Sequence, residues 1–182
     1  SENNTNVQVK IGMNIQKLTS DCGVYIQEIG GGRPGGASRH SRMVCPAITI
    51  VTNIGDAHIG NFYGDKKALM ENKLGIVDGM PEDGVVYLNA DDPLLVEAAP
   101  DCKKVLFAVN NKNADFYADN IVAENDRTCF DIVYDDQRVA ACVNVPGEHN
   151  VLNAVCAFAI GKQLNISEEA IVNGIANFKT QG

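Results

Sequence analysis

Residues 47–60 read AITIVTNIGDAHIG, and this stretch decides the fold class. Its first half is β-branched and apolar, which is typical of a strand that is buried on both faces of a sheet. Its second half changes to polar residues and glycine. Open α/β sheets bind their ligands at the carboxyl ends of such strands. We therefore predict a strand that delivers Asn53 and then His58 to the ligand-binding edge of a sheet.

Three further runs have the same apolar, β-branched character, and helical stretches lie between them. Alternating strands and helices favour an α/β fold with three layers, in which a mostly parallel sheet is flanked by helices. The predicted strands are VYIQEIG (24–30), GVVYLNA (84–90) and KVLFAV (104–109), and the predicted helices lie near 37–43, 65–80 and 93–98.

The pattern changes in the second half of the chain. Residues 115–146 alternate polar and apolar side chains around a DDQ turn, so an added small antiparallel sheet is predicted. Residues 151–160 are apolar almost all round, which indicates a deeply buried helix. Ser167 is predicted to cap a last helix that has two glutamates in its first turn. We interpret residues 1–182 as one domain.

Composition narrows the function classes. The net charge of −8 argues against a partner that is nucleic acid, because phosphate backbones are bound by basic surfaces. No apolar run approaches the roughly 20 residues of a membrane span. The six cysteines stand singly without a C-x-x-C pair, which argues against zinc. Cys45 and Cys156 are predicted to be small buried hydrophobes of a reducing cytoplasm.

The predicted helix over residues 65–80 carries a lysine on its apolar face. Lys73 lies among apolar residues that include Leu69 and Ile76 when the sequence is wound at about 100° per residue. The simpler interpretation is that the stem packs while the ammonium reaches water. The alternative is an inward-facing lysine whose charged form is disfavoured by desolvation.

Other polar groups collect at the predicted edge of the sheet. Glu28 and His58 offer a carboxylate oxygen and an imidazole nitrogen, both of which suit a metal ion. The alternative is that Glu28 pairs with Arg33 and that His58 caps a loop. The predicted strand 84–90 ends at the same edge of the sheet and brings Asn89, Asp91 and Asp92 there.

Two glycine-containing motifs have more than one interpretation. Residues 30–35 satisfy G-x-G-x-x-G, but Pro34 interrupts the loop and the following helix is short, which disfavours dinucleotide binding. No G-x-x-x-x-G-K-[ST] phosphate loop is present in the sequence. In GEHN (147–150), Asn150 either caps a helix or offers its amide to a purine edge.

Five motifs in one order resemble the central ATP-binding domain of the Mur ligases. They are EIGGGRPG, TNIGDAHIGNFYG, a lysine nine residues after Gly64, LNADDP and GEHNVLNA. Within that family they are most similar to the type that adds D-alanyl-D-alanine to a UDP-muramoyl-tripeptide. The resemblance extends from about residue 10 to the end of the sequence.

The resemblance implies a set of site residues. Glu28 and His58 are expected to hold Mg²⁺, and Lys73 falls on the family's carbamylated lysine, which gives the metal a third ligand. His58 and Lys73 are thereby the expected catalytic residues. His149 and Asn150 form the HN motif that is expected to bind ATP, with Asn150 contacting adenine.

The resemblance also implies the reaction and its partners. In the family, ATP phosphorylates a carboxylate of a UDP-muramoyl-peptide-type substrate, and the amine of a D-amino acid or dipeptide displaces phosphate. The expected protein is a cytoplasmic enzyme of peptidoglycan synthesis with flanking N- and C-terminal domains. The 182 residues are expected to lack the phosphate loop and the C-terminal domain, and to be inactive alone. The alternatives are a ligase like folylpolyglutamate or cyanophycin synthetase, and a non-catalytic nucleotide-binding module.

Overall fold

The computed structural model describes residues 8–179. This part of the chain has six strands and six α-helices, with 3-10 turns at Ile59–Phe62 and Gly75–Gly79. In chain order the elements are α1 (Gln8–Ile15), α2 (Gly36–Val44), β1 (Ile48–Val51), α3 (Lys66–Leu74), β2 (Val85–Asn89), α4 (Pro93–Glu97), β3 (Lys104–Ala108), β4 (Phe116–Glu124), β5 (Arg127–Tyr134), β6 (Gln137–Val143), α5 (Glu148–Gln163) and α6 (Glu168–Ala176).

The strands form a mixed sheet in the order β1-β2-β3-β4-β5-β6. β3 and β4 pair in parallel, with Phe107 opposite Phe116. β4, β5 and β6 pair antiparallel. The predicted α/β class is confirmed, and the added antiparallel strands extend the same sheet. β2 is buried at all five positions, as its apolar sequence predicts.

The predicted strand over residues 24–30 is wrong. The segment is extended but belongs to no strand, and Val24 and Ile26 are 58% and 85% exposed. An apolar, β-branched run becomes a strand only where a neighbouring strand accepts its backbone hydrogen bonds. Among the described residues, none pairs with this segment in a sheet ladder.

The predicted helix over residues 65–80 ends early. Asp65 caps α3 by accepting the backbone N–H groups of Lys67 and Ala68. The α-helix ends at Leu74, and Gly75 begins the tighter 3-10 turn. The apolar face predicted for one long helix is therefore shared between two elements.

The chain divides into two compact units, and residues 8–86 and 97–104 are the described part of the first. In this unit α2 packs closely on the 3-10 turn Gly75–Gly79. The fully buried Ser41 hydroxyl donates to the carbonyl oxygen of Ile76 and accepts the N–H of Gly79 at 3.1 Å. Ser38 donates to Asp78 at 2.5 Å. These bonds fix the segment that follows Lys73.

The second unit, whose described part is residues 87–96 and 105–179, is built on α5. Phe158 of α5 is fully buried, and its ring lies 5.4 Å from that of Tyr134. The predicted buried helix is therefore confirmed. The Ser167 hydroxyl accepts the N–H of Ala170 and caps α6, as predicted. Glu168 then accepts the Tyr134 hydroxyl at 2.5 Å.

The cysteines differ from the prediction in two ways. Cys156 is buried as predicted, and burial raises the pKa of its thiol to about 12. Cys45 is exposed, because it is the left-handed residue that ends α2. Cys129 and Cys142 lie opposite each other on β5 and β6 and form a disulfide that the sequence analysis did not predict.

None of the helices between residues 8 and 179 is long and apolar enough to cross a membrane.

Gly79 is required by the close approach of α2, because a Cβ there would overlap the backbone carbonyl of Ser41. We expect Gly79→Ala to lower the free energy of unfolding by about 1–3 kcal/mol. Gly174→Ala is the control, since nothing lies within 4 Å of its Cβ position. Alanine also favours the α6 helix by about 1 kcal/mol. Urea denaturation measures both, and equal midpoints would contradict this packing.

Candidate functional site

The glycine triplet, residues 30–32, is the centre of the site in the first unit. Asn72 of α3 donates its side-chain N–H to the carbonyl oxygen of Gly31 at 2.8 Å. Asn61 donates to the carbonyl oxygen of Gly32 at 2.6 Å. His40 of α2 hydrogen-bonds the backbone of Gly30. Three elements therefore hold consecutive peptide groups that have no strand partner.

His58 and Lys73 both lie against this triplet. A Cβ at Gly31 would be 3.4 Å from Cγ of Lys73, and a Cβ at Gly32 would be 3.2 Å from Cγ and Nδ1 of His58. The missing side chains of the two glycines leave room for the lysine stem and the imidazole. The structure thus places two of the sequence-predicted site residues on adjacent glycines.

His58 adopts a strained backbone conformation and does not cap a helix. Its φ of 68° lies in the left-handed region, which non-glycine residues enter infrequently. It precedes the 3-10 turn Ile59–Phe62, and its side chain makes no capping hydrogen bond. The alternative role of a loop cap is therefore not supported.

Lys73 is partly buried and its ammonium faces the end of β1. Nζ donates to the carbonyl oxygen of Asn53 at 3.2 Å and to that of the fully buried Ile54. The simple interpretation, in which the ammonium extends to water, is therefore wrong. The structure supports the inward-facing position of the alternative, but both hydrogen bonds stabilise the ammonium and not the neutral amine.

Glu28 lies two residues before the triplet and is exposed. The Gln27 side chain donates to the backbone carbonyl of Glu28 at 2.7 Å. Between residues 8 and 179, no group of three or more His, Cys, Asp or Glu side chains is placed to hold a metal ion. Lys73 could serve as a metal ligand here only in a form that is not an ammonium.

The acidic residues after β2 have structural roles. The Asp91 carboxylate accepts the backbone N–H groups of Val109 at 2.6 Å and of Asn111 at 2.8 Å. Asp92 accepts the N–H of Leu94 in the first turn of α4. Their carboxylates organise loops, so the expectation that they add to the ligand-binding edge is not supported.

His149 and Asn150 lie in the first turn of α5, in the second unit. The N-cap of this helix is Gly147, with φ 109°. The Asn150 side chain donates to the carbonyl oxygen of Pro146 at 2.6 Å, and the exposed His149 ring packs over Gly147. This bond uses one N–H of the Asn150 amide, and an amide has a second N–H and a carbonyl oxygen.

An open groove of about 940 Å³ adjoins the glycine loop in the first unit. Pro34, Gly35 and Asn72 line one part of it, and apolar side chains of α3 and the following turn line another. Asn61 and Asn72, which hold the triplet, line this groove, whereas the triplet itself, His58 and Lys73 do not.

Sequence reasoning missed His40, Asn61 and Asn72. Their partners are backbone carbonyls. Every residue has one, so the sequence does not show which carbonyl a side chain will bind. Asn72 adjoins Lys73, but consecutive residues of a helix point about 100° apart, so its burial could not be inferred from that position.

The chain is similar to known proteins over most of its length. A family model described as the Mur ligase middle domain matches residues 1–161. The UDP-N-acetylmuramate–L-alanine ligase of Clostridium novyi (strain NT) is 33% identical over 136 residues, which are 73% of this chain and 29% of that protein. The UDP-N-acetylmuramoyl-tripeptide–D-alanyl-D-alanine ligase of Escherichia coli (strain K12) is 30% identical over 179 residues, which are 97% of this chain and 39% of that protein.

Solved structures share the fold. MurF from Acinetobacter baumannii superposes with a TM-score of 0.88 at 25% identity, covering 98% of this chain and 39% of that one. A MurF ligase from Thermotoga maritima in complex with ADP superposes with a TM-score of 0.72 at 20% identity, covering 83% of this chain and 35% of that one. At this identity the match shows the fold alone. The chain spans between 29% and 39% of the length of the two curated relatives.

The contact between Gly32 and His58 predicts a local effect of a methyl group. In Gly32→Ala the new Cβ would force the imidazole to move by a few tenths of an ångström, so the His58 ring resonances should shift. Gly60→Ala is the control, because nothing lies within 4 Å of its Cβ position. Two-dimensional NMR of the imidazoles measures both, and unshifted His58 resonances in Gly32→Ala would contradict the contact.

Burial lowers the pKa of His40 below 6.5, and the Arg39 charge lowers it further, while the hydrogen bond to Gly30 opposes both. The unfolded chain therefore binds more protons than the folded one as pH falls below about 6.5, and the free energy of unfolding falls with it. His40→Gln should reduce this loss between pH 7.5 and 5.5. Denaturant curves at both pH values test it, and an unchanged loss would contradict the role.

Proposed function

This chain belongs to the Mur ligase middle-domain family, and from that premise we propose that it is the central domain of an ATP-dependent amide ligase of peptidoglycan synthesis. The observation that carries the proposal is the contact of Lys73 and His58 with adjacent glycines of the loop that follows Glu28. The chain's share of its relatives' length supports flanking N- and C-terminal domains, which would complete the site.

Carbamylation of Lys73 would complete a donor set that suits a magnesium ion. Glu28 and His58 offer an oxygen and a nitrogen, whereas an ammonium repels a cation. The neutral amine of Lys73 can attack carbon dioxide and lose a proton, which gives a carbamate with a negative charge and two oxygens. Glu28, His58 and carbamylated Lys73 would then hold Mg²⁺, which supplies charge neutralisation at the transferred phosphoryl group.

The surroundings of Lys73 set a condition on this modification. Nζ now donates to the carbonyl oxygens of Asn53 and Ile54. Hydrogen bonds to the ammonium favour the charged form, so one proton must be lost to free the lone pair before the amine reacts. The stem is held against Gly31 throughout, which keeps the reacting nitrogen near the loop.

The nucleotide is assigned to the HN motif of the second unit. An adenine edge requires a donor and an acceptor, and the Asn150 amide retains both besides its bond to Pro146. His149 precedes it at the start of α5. The ADP in the related Thermotoga maritima structure supports ATP as the cofactor.

The proposed reaction has two steps. A carboxylate oxygen of the muramoyl substrate attacks the γ-phosphorus of ATP and ADP leaves. The amine then attacks the acyl carbon, phosphate leaves, and an amide forms. His58 and Lys73, held by the triplet, would position the phosphoryl group for the first step.

The proposed substrates are a UDP-muramoyl-tripeptide and D-alanyl-D-alanine. The relative that adds this dipeptide matches 97% of the chain, against 73% for the one that adds L-alanine. These substrates are precursors made before export, so we assign the protein to the cytoplasm.

Substrate dependence tests the function. The full-length protein should release ADP only when the UDP-muramoyl-tripeptide and D-alanyl-D-alanine are both present. Release with UDP-N-acetylmuramate and L-alanine would instead indicate the L-alanine type. Release with a folate and glutamate would favour the folylpolyglutamate alternative, and no release with any pair would overturn the ligase assignment.

Lys73 variants test the carbamate. Lys73→Ala should reduce ADP release at least about 100-fold, and a short carboxylic acid with carbon dioxide should partly restore it. Lys73→Arg should fail as well, because a guanidinium keeps its charge. Lys103→Arg, at an exposed lysine of the first unit, is the control and should keep full activity. Full activity of Lys73→Arg would contradict the role.

Asn150→Ala tests the nucleotide assignment. One lost hydrogen bond of about 0.5–1.5 kcal/mol should raise the KM for ATP roughly 2- to 12-fold with little change in thermal stability. A lower melting temperature with an unchanged KM would show that the side chain only braces the turn at Pro146.

A further inference from the structure

The segment that carries His58 and the helix that carries Lys73 each also carry an asparagine that holds the triplet. Lys73 and Asn72 are consecutive in the last turn of α3, and both contact Gly31. His58 precedes the 3-10 turn that contains Asn61, and both contact Gly32. The two pairs therefore meet neighbouring residues of one backbone segment.

We propose that Asn61 and Asn72 are positioning residues that set the spacing between His58 and Lys73. Each amide ties its own element to one of two consecutive glycines. Consecutive Cα atoms across a trans peptide are about 3.8 Å apart. The covalent backbone between Gly31 and Gly32 therefore fixes the distance between the two points to which the elements are attached. The relevance of this spacing to catalysis rests on the proposed function, whereas the hold on the loop does not.

For the stability of the fold alone, Asn72 is less favourable than an apolar residue of similar size. It is 9% exposed, and among the described residues its Oδ1 is buried without a hydrogen-bond partner. A buried polar atom without a partner is unfavourable, and an apolar side chain of similar size would avoid this cost. The compensating contact is the bond from Nδ2 to the carbonyl oxygen of Gly31.

The direct link between the two elements offers little packing that could set the spacing. Residues 63–65 join the 3-10 turn to α3. Tyr63 is fully exposed, and Gly64 has φ +81° with no atom within 4 Å of its Cβ position. The connection is tied to the 3-10 turn by backbone bonds, from the Gly64 N–H to the carbonyl oxygen of Ile59 at 3.1 Å and from the Asp65 N–H to that of Phe62 at 2.9 Å. The bonds through the glycine triplet add a second attachment, on the side where Lys73 and His58 lie.

The first experiment measures the loop itself. The 182-residue chain is labelled with ¹⁵N-glycine, and backbone order parameters of Gly31 and Gly32 are compared in the parent chain, Asn72→Leu and Asn61→Asp. We expect values of about 0.85 to fall below about 0.6 in both variants. Asn177→Ala is the control, because it removes a side-chain bond to a backbone carbonyl of the same 2.8 Å length in the second unit.

The second experiment separates positioning from packing in the full-length enzyme. Asn61→Asp keeps the shape of the side chain but loses the N–H donor, and should lower kcat at least about tenfold with the KM for ATP within about twofold. Asn61→Gln restores an amide on an exposed side chain that can adapt, and should recover most of kcat. A purely steric role would predict the reverse order.

The outcomes distinguish this inference from the proposed function. Unchanged order parameters in both variants would overturn the hold on the loop. A loosened loop with unchanged kcat would overturn its catalytic relevance. A loosened loop in a protein that has no ligase activity would leave the hold intact and reject only the function. If Asn72→Leu does not fold, the exposed Asn61 variants carry the test.

Discussion

The carbonyl groups of the glycine triplet impose the constraint on which the first unit depends. Backbone polar groups outside a strand ladder must find other partners. Here the partners are side chains of α2, α3 and the turn after His58, so satisfying three peptide groups also brings three elements to one segment. The same segment has no side chains at Gly31 and Gly32, which leaves room for Lys73 and His58. Hydrogen bonding and the shape of the site therefore have one cause.

The elements that were predictable from sequence are those whose pattern is local. The strands β1, β2 and β3 are apolar runs between turn residues. Burial on both faces explains the composition of β2, whereas Ile50 of β1 and Lys104 of β3 are exposed. The α6 cap at Ser167 is equally local. Residues 24–30 have the same composition, but a strand also requires a partner, and the letters of one segment do not contain it. The disulfide was within reach, because the two-residue turn after Tyr134 fixes a register that places Cys129 opposite Cys142.

Within the site, the sequence indicated the side chains that could react or bind a metal ion, and it missed the side chains that hold the loop in position. Lys73 stood out because a charge interrupts an apolar face, and His58 because an imidazole follows a buried strand. Asn61 and Asn72 have ordinary surroundings in the sequence, and their importance comes from carbonyls about thirty and forty residues away. The acidic residues after β2 show the opposite error. Their type suggested a ligand site, whereas backbone N–H groups already occupy the carboxylate of Asp91.

The division into two units has a consequence for inheritance. The chain passes from one unit to the other after residues 86, 96 and 104. A single crossover between the genes of two relatives, wherever it falls in the coding sequence, therefore separates residues of at least one unit that pack together. Neither unit can be acquired as an uninterrupted exon-like block. Exchange of either unit with all its internal contacts would require breakpoints at all three crossings.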